Sequence, residues 1–117
     1  MPFRNLNVAD AAERVEDAIN ALIDKSKRRL LHISQLRRSA HAIVSNLAEG
    51  FGRGGEGDKA RSIEIARGET EETIRHLNAN YRARRIGPED YWPIHNQLVV
   101  IVKMLDRLPQ AGAGGGS

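Results

Sequence analysis

Residues 35–53 constrain the fold of this chain more than any other stretch. Apolar residues recur there at steps of three and four, which places them on one stripe of a helix: Leu36, Ala40, Ile43, Leu47 and Phe51. Ser39, Asn46 and Arg53 run beside that stripe at intervals of seven, and glycines concentrated between positions 50 and 57 end the helix. The segment therefore predicts an amphipathic helix that buries one face.

Three further segments repeat the helical period. We expect side-chain N-caps at Asn7, Ser34, Asp58 and Asp90, which gives helices over residues 7–24, 34–51, 58–85 and 90–108. Short turns make neighbouring helices antiparallel. The prediction is an all-α, antiparallel up-down-up-down four-helix bundle over residues 1–109, followed by a flexible Gly/Ala tail over residues 110–117.

Two residues inside these helices need a reason. Starting the fourth helix at Asp90 places Pro93 at its third position, where no intrahelical donor is required. Gly68 lies within the third helix, where glycine is unfavourable by about 1 kcal/mol relative to alanine. We expect Gly68 to permit the close approach of a neighbouring helix.

Composition excludes several classes of protein. The 117 residues suit one domain, and no cysteine is present, which is typical of a cytoplasmic protein. The longest apolar run, residues 98–102, is too short to cross a membrane, so we expect no membrane association. Bundle-core metal sites use inward carboxylates and Glu-x-x-His pairs, and neither occurs here. We therefore expect no metal, no cofactor, no small-molecule substrate and no enzymatic activity.

The distribution of charge is the best functional lead. The chain has 18 Lys and Arg against 15 Asp and Glu, but between residues 25 and 48 no acid interrupts six basic residues. Such a segment can neutralise phosphates and release counterions. The candidate nucleic-acid contacts are Lys27, Arg28, Arg29, Arg37, Arg38 and Arg53. The alternative is a solvated basic segment that balances the acidic first helix of the same or a neighbouring chain.

The fourth helix predicts self-association. Val99, Val100 and Val102 lie off its inward stripe, and one bundle core can bury only one face. A leftover apolar surface usually marks a partner surface. These valines are the candidate contacts of a homo-oligomer.

Two motifs resemble those of the bacterial four-helix-bundle proteins related to the 23S rRNA intervening-sequence proteins (S23-like). They are Ser-Asn-Leu-Ala-Glu-Gly-Phe-Gly-Arg at residues 45–53, which follows a Gln-Leu-Arg-Arg-Ser start at residue 35, and Ile-Ala-Arg-Gly at residues 65–68. The family-motif residues are Asn46, Glu49, Gly50, Arg53, Arg67 and Gly68. From the residues alone, Glu49 is expected to pair with Arg53 or with Arg61.

The resemblance implies a bundle that assembles into a ring, a pentamer being typical of the family, and it implies association with RNA. A more distant similarity is to the accessory proteins of diversity-generating retroelements. Two functions follow as hypotheses. The first is a non-enzymatic oligomeric module that binds RNA or a ribonucleoprotein. The second is a protein–protein scaffold without nucleic-acid binding, which assembles through its helix surfaces.

Overall fold

The four predicted helices are present in the computed structural model, which describes the backbone of residues 3–52 and 56–108 and the side chains of residues 8–52 and 59–108. In chain order they are α1 (Phe3–Ser26), α2 (Ile33–Gly52), α3 (Glu56–Arg82) and α4 (Pro88–Asp106). Both α1 and α3 pack against α2 and α4, so the helices close a square. This arrangement, with short connections between consecutive helices, confirms the all-α bundle.

The core lies along the predicted stripes. All six expected positions of α1 are buried, as are four of the five on α2 and four of the five on α4. The stripe of α3 differs, because Ile74 and Tyr81 are only partly buried while Thr73 and Asn80 are fully buried. The apolar core from α1, α2 and α4 consists of Val8, Ala12, Val15, Ile19, Leu22, Ile23, Leu36, Ala40, Ile43, Leu47, Tyr91, Ile94, Leu98, Ile101 and Leu105.

The helices begin earlier than their expected caps. Helix α1 starts at Phe3, directly after Pro2, so Asn7 lies within it. Helix α2 starts at Ile33, and its first backbone hydrogen bond runs from the amide of Leu36 to the carbonyl of His32. Ser34 therefore occupies the first turn rather than the N-cap position, and its hydroxyl donates to the Oε1 of the neighbouring Gln35.

The expected position of Pro93 is wrong. Helix α4 is capped by Gly87 and carries Pro88 in its first turn, a favourable site for proline. Pro93 consequently lies inside the helix, where its missing N–H leaves the carbonyl of Glu89 without an intrahelical donor. Pro93 is exposed, so water can satisfy that carbonyl.

The close helix approach expected at Gly68 occurs at Gly50 instead. Gly68 is exposed, and a Cβ atom added there would meet nothing within 4 Å. Gly50 is buried, and a Cβ atom there would lie 3.1 Å from the Cβ of Ser62. Gly50 therefore sets the contact between α2 and α3, whereas Gly68 faces outward with its neighbour Ile65.

The predicted tail, residues 110–117, lies outside the described residues. Within residues 3–52 and 56–108, none of the helices combines the length and apolar character needed to cross a membrane.

Replacing Gly68 with alanine should stabilise the protein by about 1 kcal/mol, because the exposed helix interior gains intrinsic propensity without a steric conflict. The matched control is Gly50→Ala, where the new methyl group presses on Ser62, so no gain is expected. Urea unfolding of both variants measures the difference. Equal stabilisation by the two substitutions would contradict these assignments.

Candidate nucleic-acid interface

Two basic groups that are distant in sequence meet at one end of the bundle. The α1–α2 loop carries one group, and the end of α3 with the α3–α4 connection carries the other. The side chain of Arg85 donates a hydrogen bond to the backbone carbonyl of Arg29 across 3.4 Å. We call this cluster the basic end; it consists of Lys27, Arg28, Arg29, Arg82, Arg84 and Arg85. All six of these side chains are exposed.

A buried asparagine holds the two loops together. Asn80 is fully buried near the end of α3. Its Oδ1 accepts a hydrogen bond from the amide of Leu31 across 2.7 Å, and its Nδ2 donates to the carbonyl of Leu31 across 3.0 Å. The same Nδ2 donates to the carbonyl of His76 one turn earlier. Asn80 thus pairs with both backbone groups of one loop residue, much as a neighbouring strand would.

The backbone of Asn80 also ends helix α3. Its carbonyl accepts a hydrogen bond from the amide of Arg85 across 2.8 Å, and the amide of Arg84 donates to the carbonyl of Tyr81. Arg84 has a φ of 60°, the left-handed conformation that commonly terminates a helix. The side chain and the carbonyl of one residue therefore fix the positions of both basic groups.

Arg37 and Arg38 lie on α2 rather than at the basic end. The guanidinium of Arg38 donates to Glu72 across 2.7 Å and lies 3.5 Å from Glu69, both on α3. These contacts raise the pKa of Arg38, the hydrogen bond to Glu72 most strongly. Its charge is thus partly neutralised within the chain. Arg37 is exposed, and Arg53 lies outside the described residues.

The carboxyl group of Glu72 contacts both Arg38 and His76. Burial raises its pKa, but hydrogen bonds from His76 and Arg38 outweigh that effect and hold the pKa below its ordinary value of 4.5. Glu72 therefore stays ionised at neutral pH and ties α3 to α2.

Among the family-motif residues that the structure describes, Gly50 and Arg67 lie at contacts between helices. Arg67 donates to Asp106 on α4 across 2.6 Å and to Glu71 across 3.0 Å, and its hydrogen bond lowers the pKa of Asp106. Asn46 donates to the carbonyl of Ala42 in its own helix. The contacts of Gly50 and Gly68 are given above. Glu49 is exposed and has an interaction partner. The expected pairing of Glu49 with Arg53 or with Arg61 stays a prediction.

Metal chemistry gains no support from the part of the chain that the structure describes. Across residues 8–52 and 59–108, no group of three or more His, Cys, Asp or Glu side chains is placed to hold a metal ion.

The basic residues are visible in the sequence, but the contact of Asn80 that brings them together was not predicted. Arg82, Arg84 and Arg85 stand out as a second basic group in the sequence, yet only the antiparallel topology brings them to the α1–α2 loop. Asn80 follows Leu77 by three residues and Tyr81 follows it by four, and the helical period allows either residue to face inward. A polar residue at an inward position was the signal in the sequence that could have identified Asn80.

Comparisons with known proteins agree with this fold. A family model described as 23S rRNA-intervening sequence protein matches residues 4–107. A crystal structure of a protein with unknown function from the S23 ribosomal protein family of Bacteroides thetaiotaomicron VPI-5482 is similar, with a TM-score of 0.81 and 24% sequence identity. That match covers 88% of this chain and 95% of the other chain. No protein of curated function matches significantly.

The hydrogen bonds between Asn80 and Leu31 predict that replacing Asn80 destabilises the protein. Asn80→Leu keeps the side-chain volume but leaves the amide and carbonyl of Leu31 without partners, so we expect a loss of about 2–4 kcal/mol. A leucine at the exposed Gln35 of α2 (Gln35→Leu) should change stability by less than about 0.5 kcal/mol. Urea unfolding measures the stability of both variants. Equal effects at the two positions would show that the hydrogen bonds between Asn80 and Leu31 contribute nothing to stability.

Proposed function

Because the chain belongs to the 23S rRNA-intervening sequence protein family, we propose that it is a non-enzymatic module that binds RNA through its basic end. The observation that carries the proposal is the meeting of two exposed basic groups at one end of the bundle, held by Asn80. The family description, which refers to an rRNA intervening sequence, supports RNA as the ligand class.

The physical basis is the phosphate backbone of RNA. Each phosphate that a Lys or Arg side chain neutralises releases condensed counterions, so affinity falls as salt rises. The six cations of the basic end are exposed and close together, whereas Arg38 already has two carboxylates beside it. The basic end is therefore the better phosphate site than the α2 surface that carries Arg37 and Arg38.

We also propose that the module is a cytoplasmic homo-oligomer, with a pentameric ring as the expected form. Val100 is 50% exposed on α4, beside a hollow of about 260 Å³ that it lines with Ala11, Arg14, Asn96 and Gln97. Val99 and Val102, also candidate contacts, are half-buried. A ring presents one basic end per subunit on a shared assembly, which raises avidity without a new contact.

The scaffold hypothesis assigns these charges differently. In that case the basic end of one subunit would pair with the acidic α1 of the next, where Glu13 and Asp17 are exposed. A charge reversal at the basic end would therefore abolish RNA binding under the first hypothesis and dissociate the oligomer under the second.

Reversing Arg28, Arg82 and Arg84 to glutamate should abolish RNA binding and leave the helical fold intact, since all three side chains are exposed. The matched control reverses Arg75, Lys103 and Arg107, which are exposed elsewhere and give the same net charge. Filter binding over a salt series measures affinity. The native log-log salt slope should be about 0.7 per neutralised phosphate of a single strand, and the control should keep it.

Circular dichroism checks the fold of each variant, and light scattering reports its oligomeric state alongside that of the native protein. Native protein that fails to bind RNA at low salt, or equal losses in both variants, would contradict RNA binding at the basic end. A native monomer near 13.0 kDa would contradict the oligomer. If only the basic-end variant dissociates and the native protein binds no RNA, the scaffold function is the correct one.

A further inference from the structure

The one tryptophan of the chain is exposed beside the basic end. Trp92 lies in the first turns of α4 with 46% of its surface exposed, whereas the adjacent Tyr91 is only 6% exposed. Large aromatic side chains in a small bundle are normally buried, because each offers a large apolar area. The exposure of Trp92 therefore leaves a large aromatic surface open to a ligand.

Three rings hold the indole of Trp92 in place. Tyr81 and Tyr91 stack with centroids 4.0 Å apart and nearly parallel planes, and the ring of His95 stacks on Tyr91 with centroids 5.2 Å apart. The indole stands across this stack, with centroid distances of 6.1 Å to Tyr81, 4.8 Å to Tyr91 and 5.3 Å to His95. The phenol of Tyr91 donates to the side-chain oxygen of Asn78 across 2.6 Å, which fixes the stack to α3.

The aromatic stack adjoins the cations of the basic end. Tyr81 lines a groove of about 620 Å³ together with Arg29, Arg82 and Arg84. Burial raises the pKa of the Tyr91 phenol, Tyr81 raises it further, and the positive charge of Arg82 opposes that rise, so Arg82 acts electrostatically on the stack. The groove thus places three guanidinium groups beside Tyr81, whose ring contacts the exposed indole.

One carboxylate lies at the rim of this groove. The carboxylate of Glu89 lies close to the α-carbon of Gly87, which lines the groove. Asp90, the next acid, is already paired with Lys25 across 3.0 Å. The groove is therefore predominantly cationic, with Glu89 as the charge that opposes an anionic ligand.

We propose that Trp92 stacks on an unpaired base of a single-stranded nucleic acid whose phosphates lie along the arginines of the groove. An aromatic platform beside a cationic groove suits a flexible polyanion whose bases have exposed π-faces. A duplex offers no such face, because its bases are stacked on one another. This inference rests on the proposed function and adds to it that the target is a single strand, loop or bulge.

The position of Trp92 allows a direct optical test. As the chain holds one tryptophan, its intrinsic fluorescence reports on this side chain alone. The probes are an oligouridine of about twelve nucleotides, the matching deoxy strand, an abasic strand of equal phosphate number, and the oligouridine in a duplex. Filter binding at low salt gives the affinity of every variant, and titration of the native protein gives the change in its tryptophan fluorescence.

We expect the oligouridine to quench the fluorescence and to bind about 5- to 100-fold more tightly than the abasic strand, the range that stacking of one base provides. Trp92→Leu should bind both strands alike, whereas Trp92→Tyr should restore part of the preference. Glu89→Gln should tighten binding of both strands equally, because it removes a charge and not a ring. The deoxy strand distinguishes an RNA-specific site from a general single-strand site.

Each contrary result has a distinct meaning. Equal binding of oligouridine and abasic strand by the native protein, or equal binding of the duplex, overturns stacking by Trp92 and leaves the phosphate site standing. Binding of none of the probes overturns the proposed function itself. If Trp92→Leu dissociates the oligomer and leaves the strand preference unchanged, the indole is a subunit contact and the inference is wrong.

Discussion

The side chain of Asn80 pairs with the backbone of Leu31, and the basic end depends on this contact. A loop backbone that packs against a helix needs partners for its amide and carbonyl groups, since buried groups without them are costly. Asn80 supplies both, at 2.7 and 3.0 Å, while its own carbonyl accepts from Arg85. Leu30 and Ile86, which are next in sequence to Leu31 and Arg85, are buried in the apolar core. Asn80 thereby joins the α1–α2 loop to the α3–α4 connection, although the two are far apart in the sequence.

The bundle and most of its core were predictable from the sequence. The helical period of α1, α2 and α4 identifies their buried faces because apolar burial dominates the free energy of packing. The helix starts were less accurate, since the prediction looked for side-chain caps. Helices α2 and α4 instead begin at Ile33 and Pro88, directly after His32 and Gly87, whose carbonyls accept the first backbone hydrogen bonds. Gly68 was misassigned although the buried positions Ala66 and Thr70 on either side of it in the sequence place it on the outward face by the helical period.

The candidate site was harder to predict, because it depends on contacts between helices. A run of basic residues can be read from the sequence, but the pairing of Arg38 with Glu69 and Glu72 requires knowing that α2 and α3 are neighbours. That pairing leaves Lys27, Arg28, Arg29 and Arg37 as the accessible part of the run, and the bundle topology brings the arginines at the end of α3 to the first three. Buried polar pairs between helices, such as Thr73 with Ser39 at 2.8 Å, were likewise invisible to an apolar pattern.

Amide hydrogen exchange at Leu31 tests the central contact most directly in the native protein. The amide of Leu31 donates to a buried acceptor, although it belongs to a surface loop. The account predicts that it exchanges as slowly as amides within the core helices, and far more slowly than those of Lys27 and Arg28 in the same loop. Exchange of Leu31 at the rate of Lys27 and Arg28 would show that Asn80 does not hold the loop, and would contradict the assembly of a single basic end.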